Sequence, residues 1–157
     1  MDVKPYTRSD RSVATSRSRL PWLFRGLALG FLCAAAFHAA CIVDAALGEP
    51  SPPWRHALFI AVNVGVAIGT LWRPGWFLFV FALFAGQQLA SHAMDGWRAF
   101  SVEQRVDWAS LVVVLGVPVV FFALARERER RLWELALALV LMAAVGAGVA
   151  VDRLASG

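Results

Sequence analysis

The sequence predicts an all-α integral membrane protein: a bundle of five transmembrane helices behind a disordered basic N-terminal tail. Three observations carry that prediction. Of 157 residues, 59% are apolar and only 17% charged, and the mean hydropathy is +0.62, too little polar surface to cover a water-exposed globule. The apolar residues fall into five runs of membrane-spanning length. Tryptophans and arginines then mark the ends of those runs.

Residues 1–20, MDVKPYTRSDRSVATSRSRL, are polar and basic without apolar periodicity, and are read as a flexible cytoplasmic tail. The membrane domain is read over residues 21–157. Its first span is Trp22 to Asp44, opened by Pro21 at a first-turn position where the missing N–H is harmless. The proline-rich loop AALGEPSPP leads to the second span, Trp54 to Trp72, and Arg73-Pro74-Gly75 turns into the third, Trp76 to Met94. The polar stretch DGWRAFSVEQRVD precedes the fourth, Trp108 to Ala125, and ARERERR, read as a solvated turn, separates it from the fifth, Leu132 to Val151. Each run has about the 17–25 residues that cross ~30 Å of hydrocarbon. No Gly or Pro marks the last turn, so a four-span core with an extra C-terminal helix describes the same pattern. A cleaved signal peptide would also have a basic segment and small residues such as Ala34-Ala35-Ala36, but this apolar run is longer than a signal needs.

Charge orients the bundle. With the N-terminus inside, Lys4, Arg8, Arg11, Arg17, Arg19, Arg25, Arg73, Arg126, Arg128, Arg130 and Arg131 are cytoplasmic, and only Arg55, Arg98, Arg105 and Arg153 are outside. The positive-inside rule therefore predicts a cytoplasmic N-terminus and an extracytoplasmic C-terminus. Residues Trp22, Trp54, Trp72, Trp76, Trp97, Trp108 and Trp133 lie at or just beyond span ends, as interfacial aromatic belts require. A composition rich in Ala, Leu, Val and Arg with one Lys favours a bacterial inner membrane. The basic residues form no patch broad enough for nucleic acid. Cys33 and Cys41, eight positions apart on one helix, are too distant along its axis for a mutual disulfide.

Small residues mark the faces on which membrane helices approach one another. Span one has Gly26, Gly30 and Ala34; span two has Ala61, Gly65 and Gly69; span five has Ala138, Met142, Gly146 and Ala150. These faces are expected to meet other helices of the chain, of a second copy or of another membrane protein. One further step along the first stripe reaches His38. Span two carries His56 and Asn63 on one face, and span three carries Gln88 and His92, with Gln87, Ser91 and Asp95 adjoining. Intramembrane polar groups turn to a bundle interior or a wet cavity. All of these fall in the outer half, where Asp44, Asp95 and Asp107 ring the mouth and Ser110 opens span four, while the inner half reads as nearly all apolar.

The expected site is therefore an outer-half pocket of His38, Asp44, His56, Asn63, Gln88, His92 and Asp95. His38, His56 and His92 are its candidate metal ligands, and His38 with His92 the candidate haem pair, although no HxxxH, HxxE or CxxC spacing fixes two ligands on one helix. Phenylalanines 77, 79, 81 and 84 of span three, with 121 and 122 of span four, could line an apolar cavity below it. The pattern Phe37-His38 with Asp44, Pro52-Pro53-Trp54, His92 with Asp95, and Pro118 resembles that of the EXPERA membrane proteins, four-span proteins that include sterol isomerases and sterol-ligand receptors. The resemblance covers spans one to four and implies a pocket for a lipid or sterol-like ligand. The chain departs from it in its extra span, and in Asn63 where isomerase acid chemistry would want an acidic residue. No Ser/His/Asp order, phosphate loop, paired intramembrane carboxylates or zinc spacing marks an enzyme. The reading that follows is a non-catalytic accessory or scaffold subunit without a cofactor.

Overall fold

The computed structural model describes residues 21–44, 52–127 and 130–156. The tail read over residues 1–20 lies outside the described residues, as does most of the loop between the first two helices. Five helices follow one another: α1 (Pro21–Val43), α2 (Pro53–Trp72), α3 (Phe77–Ser101), α4 (Trp108–Glu127) and α5 (Leu132–Ser156), with no strand among the described residues. All five are long and apolar enough to cross a membrane. The protein is a small five-span helical membrane protein.

The helix ends show why the spans begin and stop where they do. Pro53 opens α2 in its first turn. Arg73 closes that helix in the left-handed region (φ 50°, ψ 49°), with its N–H bonded to the Gly69 carbonyl at 2.7 Å. This is an αL cap, ordinarily a glycine's position. At the start of α4 the Asp107 carboxylate accepts the Ser110 backbone N–H at 3.1 Å, the N-cap bond that satisfies an orphan donor of the first turn. At the start of α5, Glu134 reaches back to the Arg131 backbone N–H at 3.1 Å, one half of a capping box.

Two helices run five or more residues beyond their expected spans. α3 continues from Met94 to Ser101 and α5 from Val151 to Ser156. Hydropathy falls there, but nothing interrupts the helical ladder, and the extensions brace each other through Asp95 and Arg153 at 2.6 Å.

α3 is the centre of the bundle. About 39% of its apolar window is buried, against 6% for α5. α1 and α2 form an antiparallel hairpin, α4 lies antiparallel to α3, and α5 lies parallel to α3 on another side. The parallel contact is close: a side chain at Gly86 would collide with the Met142 carbonyl oxygen, and Gly146 lies against the Gly86 backbone. α2 touches α3 only marginally. The hairpin instead meets α3 through large side chains, Phe31 packing edge-on against Phe81 and Phe84. Phe24, Phe77, Phe81, Phe121 and Leu124 fill the core with Val66, Leu78 and Ala138.

The small-residue stripes behave differently from one another. That of α5 makes the contact expected of it, with Ala138 fully buried and Gly146 on Gly86. On α1 no helix of the chain covers the glycines among the described residues: Gly26 and Gly30 face open space, and the packed face is Phe24, Ala28, Ala35 and Cys41. On α2 only Gly69 is covered, by the Phe77 ring, while Gly65 is open. The tryptophans lie at helix ends and are exposed, all seven of them.

Candidate functional site: polar clusters at one end of the bundle

Because the helices alternate in direction, the C-terminal ends of α1, α3 and α5 share one end of the bundle with the N-terminal ends of α2 and α4. This is called the His end, and the opposite one the Arg end. Of the expected pocket, His38, Asp44, His56, His92 and Asp95 lie toward the His end, Asp44 just past the last residue of α1, while Asn63 and Gln88 lie near the middle of α2 and α3; the side chains fall into separate clusters.

The first cluster joins α1 to α2. His38 and His56 face each other with Nδ1 atoms 3.2 Å apart. The His38 ring stacks on Phe59 at 4.9 Å between centroids and meets Phe37 edge-on. His56 is buried. One imidazole donates from Nδ1 and the other accepts, since two protonated or two bare nitrogens cannot bond. Asn63, one turn beyond Phe59, is also buried, and its amide donates to the Phe59 carbonyl at 2.8 Å. It serves its own helix rather than the histidines.

The second cluster joins α3 to α4. Ser110, nearly fully buried, donates its hydroxyl to Asp107 at 2.7 Å, and its Oγ lies 3.1 Å from His92 Nδ1. With the serine proton committed to the carboxylate, His92 completes the chain by carrying its own proton on Nδ1. The serine hydroxyl and backbone N–H hold the Asp107 carboxyl below the usual aspartate range. These three residues are not arranged as a hydrolytic triad. There the imidazole receives the serine proton; here the carboxylate does, and the serine is closed off from solvent. Close by, Gln87 donates to Ser91 at 3.1 Å and Gln88 to Gln87 at 2.6 Å.

The third contact is the Asp95–Arg153 ion pair between the extended ends of α3 and α5. Beside it an open hollow of about 450 Å³ is lined by Ala93, Met94, Trp97 and Arg98. Of the rings expected to line a deeper apolar cavity, Phe77, Phe81 and Phe84 pack on one another instead, with Phe81 fully buried and also against Phe31, whereas Phe122 is exposed.

The three histidines thus divide into a pair and a single residue. His38 and His56 meet, whereas His92 is bonded to Ser110. Among the described residues no three His, Cys, Asp or Glu side chains are grouped to hold a metal ion. Asp107, expected at the mouth of the pocket, and Ser110, expected at the start of span four, complete the His92 cluster, although neither was among the expected lining residues. The signal for them was the run Asp107-Trp-Ala-Ser110, an N-cap residue three positions ahead of a hydroxyl.

The chain matches no protein-family model, no curated protein and no solved structure. The resemblance to EXPERA proteins therefore extends no further than the residues that suggested it.

The Arg end holds a cluster that the sequence reading missed. Arg73 pairs with Glu127 at 2.6 Å and its guanidinium lies 4.5 Å above the Phe24 ring. Arg130, its side chain only 9% exposed, donates to the Gly75 carbonyl at 2.7 Å and stands 3.9 Å from Glu134. The expectation of a fully solvated ARERERR turn is corrected here: Glu127 and Arg130 are tucked against the bundle, and residues 128 and 129 lie outside the described residues. Their burial follows from the Arg73-Pro74-Gly75 turn, whose cation and free carbonyl offer partners to both.

Proposed function

We propose that this protein is a non-catalytic accessory or scaffold subunit of a bacterial inner membrane, and that it associates through the exposed small-residue face of α1. The observation that carries the reading is the open space at Gly26 and Gly30, on a helix whose opposite face is already packed. Gly86 and Gly146 show how glycines of this chain are used when a helix is close by. The polar side chains of the His end support it as well, since His38, His92 and Asp95 each bond to a side chain of a neighbouring helix and so fix helix register. The partner helix comes from a second copy of the chain or from another membrane protein, and crosslinking at Cys33 tells the two apart.

Cys33 is exposed and lies on the face of Gly26 and Gly30, at helical spacing from both, while Cys41 is buried. Mild oxidation in membranes is expected to join two copies through Cys33, and the double substitution Gly26→Leu and Gly30→Leu to abolish the crosslink. Gly148→Leu, at another open glycine, should leave it intact. Crosslinking to a different membrane protein at Cys33 would keep the scaffold and change the partner; no crosslinked species at all would end the reading.

The Arg end faces the cytoplasm in this proposal, following the asymmetry of basic residues. A cysteine at the exposed Val102 should then be labelled by an impermeant maleimide in intact cells, and one at exposed Arg131 only after lysis. The reverse pattern would invert the topology.

A further inference from the structure

We propose that His38 and His56 form a two-histidine site for a borderline divalent cation such as zinc, clipping α1 to α2 at the His end. The argument begins with the distance between the two nitrogens. Two metal–imidazole bonds of about 2.0–2.1 Å at the tetrahedral angle set the ligand nitrogens about 3.3–3.4 Å apart. The two Nδ1 atoms are 3.2 Å apart, so an ion fits between them with a shift of a few tenths of an ångström. It takes the place of the shared proton. In the neutral pair each imidazole carries one hydrogen; on binding, both hydrogens reside on Nε2, both Nδ1 lone pairs face the ion, and no net proton is released.

The surroundings suit such a site. Stacking on Phe59 and the edge contact with Phe37 hold the His38 ring, and burial holds His56. His38 precedes the end of α1 at Val43 by five residues, and His56 follows the start of α2 at Pro53 by three. At 1.5 Å per residue the pair lies within about 8 Å of the helix ends, a depth that water and ions reach from the adjoining aqueous phase. Imidazole nitrogen selects zinc, copper, nickel and cobalt over magnesium or calcium. Since no third protein ligand is grouped with the pair among the described residues, water fills the remaining positions. Binding is then reversible and weaker on acidification, as protons compete for the same nitrogens.

Zinc itself is the probe, added to detergent-purified protein carrying a tag without histidine. One zinc per chain is expected by elemental analysis after equilibrium dialysis, together with a higher melting temperature. His38→Asn and His56→Asn, whose amides stand where Nδ1 stood, should each lose both, while His92→Asn keeps both. Should the variants fold poorly, the unmutated protein still decides the matter. Zinc should protect His38 and His56, but not His92, from carbethoxylation read by mass spectrometry. Absence of zinc from the unmutated protein, zinc retained in both asparagine variants, or equal protection of all three histidines would each overturn the site.

Discussion

The two ends of the bundle are held together by different chemistry. At the Arg end, charged groups tie together pieces that are distant in sequence: Arg73 reaches Glu127 of α4 and the Phe24 ring of α1, and Arg130 reaches the Gly75 carbonyl. At the His end the bonds are mostly neutral and local to a helix pair: His38 with His56, and His92 with Ser110. The Asp95–Arg153 ion pair there joins α3 to α5. None of these His-end contacts links the α1–α2 hairpin to α3, α4 or α5. The hairpin is anchored to the rest at the Arg end and through Phe31. The ends therefore differ in what they can transmit: a disturbance at the Arg end reaches all five helices, whereas one at the His end stays within a pair.

The largest expected effect tests the Arg end. Arg73→Ala removes the partner of Glu127 and the cation over Phe24 together. Breaking a fully buried ion pair costs about 3–5 kcal/mol. These side chains are 25% and 19% exposed, so screening reduces the expected loss to about 2 kcal/mol, read as a lower melting temperature in detergent. Arg73→Gly should lose somewhat less, because the left-handed backbone at this position (φ 50°) costs a non-glycine residue about 1 kcal/mol. Equal losses in the two variants would show that the cap geometry contributes nothing, and a loss below that of a typical surface substitution would remove the contrast between the ends.

The second test addresses the His end. Ser110→Ala deletes the hydroxyl between His92 and Asp107, leaving His92 Nδ1 without its acceptor. A buried polar group deprived of its partner costs about 1–3 kcal/mol, and the half-buried histidine places the expectation near the lower bound. The effect should be confined to the α3–α4 pair. Hydrogen exchange at the His end of α4 should quicken while amides of α1 and α2 keep their rates. Equal acceleration in α1 and α2 would show that the His end is cooperative, contrary to the contacts.

How far the sequence disclosed this arrangement depends on what each signal measures. Hydropathy and tryptophan placement located all five helices, because membrane thickness and the aromatic belt act on each helix separately. They fell short at α3, where the helix continues past Met94 to Ser101; backbone hydrogen bonding persists after the hydrocarbon ends. Periodicity placed small residues of both α1 and α5 on stripes, more weakly in α5, yet of these two it is the α5 stripe that meets α3. A helical period states which residues share a face and leaves the neighbour of that face undetermined. For the same reason His38, His56 and His92 could be brought to one end, although not divided into a pair and a single residue. The Arg-end cluster was hidden because orientation rules count arginines as charges in water. Arg130 finds a carbonyl 55 residues away, and only the fold brings the two together.

The smallest expected effect separates the capping role of Asp107 from its charge. Its carboxylate accepts both the hydroxyl and the backbone N–H of Ser110, and these bonds hold its pKa below the ordinary value. A carboxyl depressed on folding contributes stability that is complete above its unfolded pKa of about 3.9 and is lost as the pH falls through its lower folded value. Between pH 7 and 5 this contribution should therefore be constant, and it should vanish only in stronger acid. Asp107→Asn keeps an acceptor for the helix N-terminus, so at neutral pH it should cost only a few tenths of a kcal/mol, whereas Asp107→Ala should cost about 1 kcal/mol. The two proteins share every other carboxylate, so the difference in melting temperature between the unmutated protein and Asp107→Asn isolates this one. That difference should be flat from pH 7 to 5 and shrink below pH 4. A difference that already changes above pH 5 would mean that His92, at the other side of the Ser110 hydroxyl, takes up a proton coupled to Asp107, and the bond assigned as neutral imidazole to hydroxyl would have to come from a charged imidazolium.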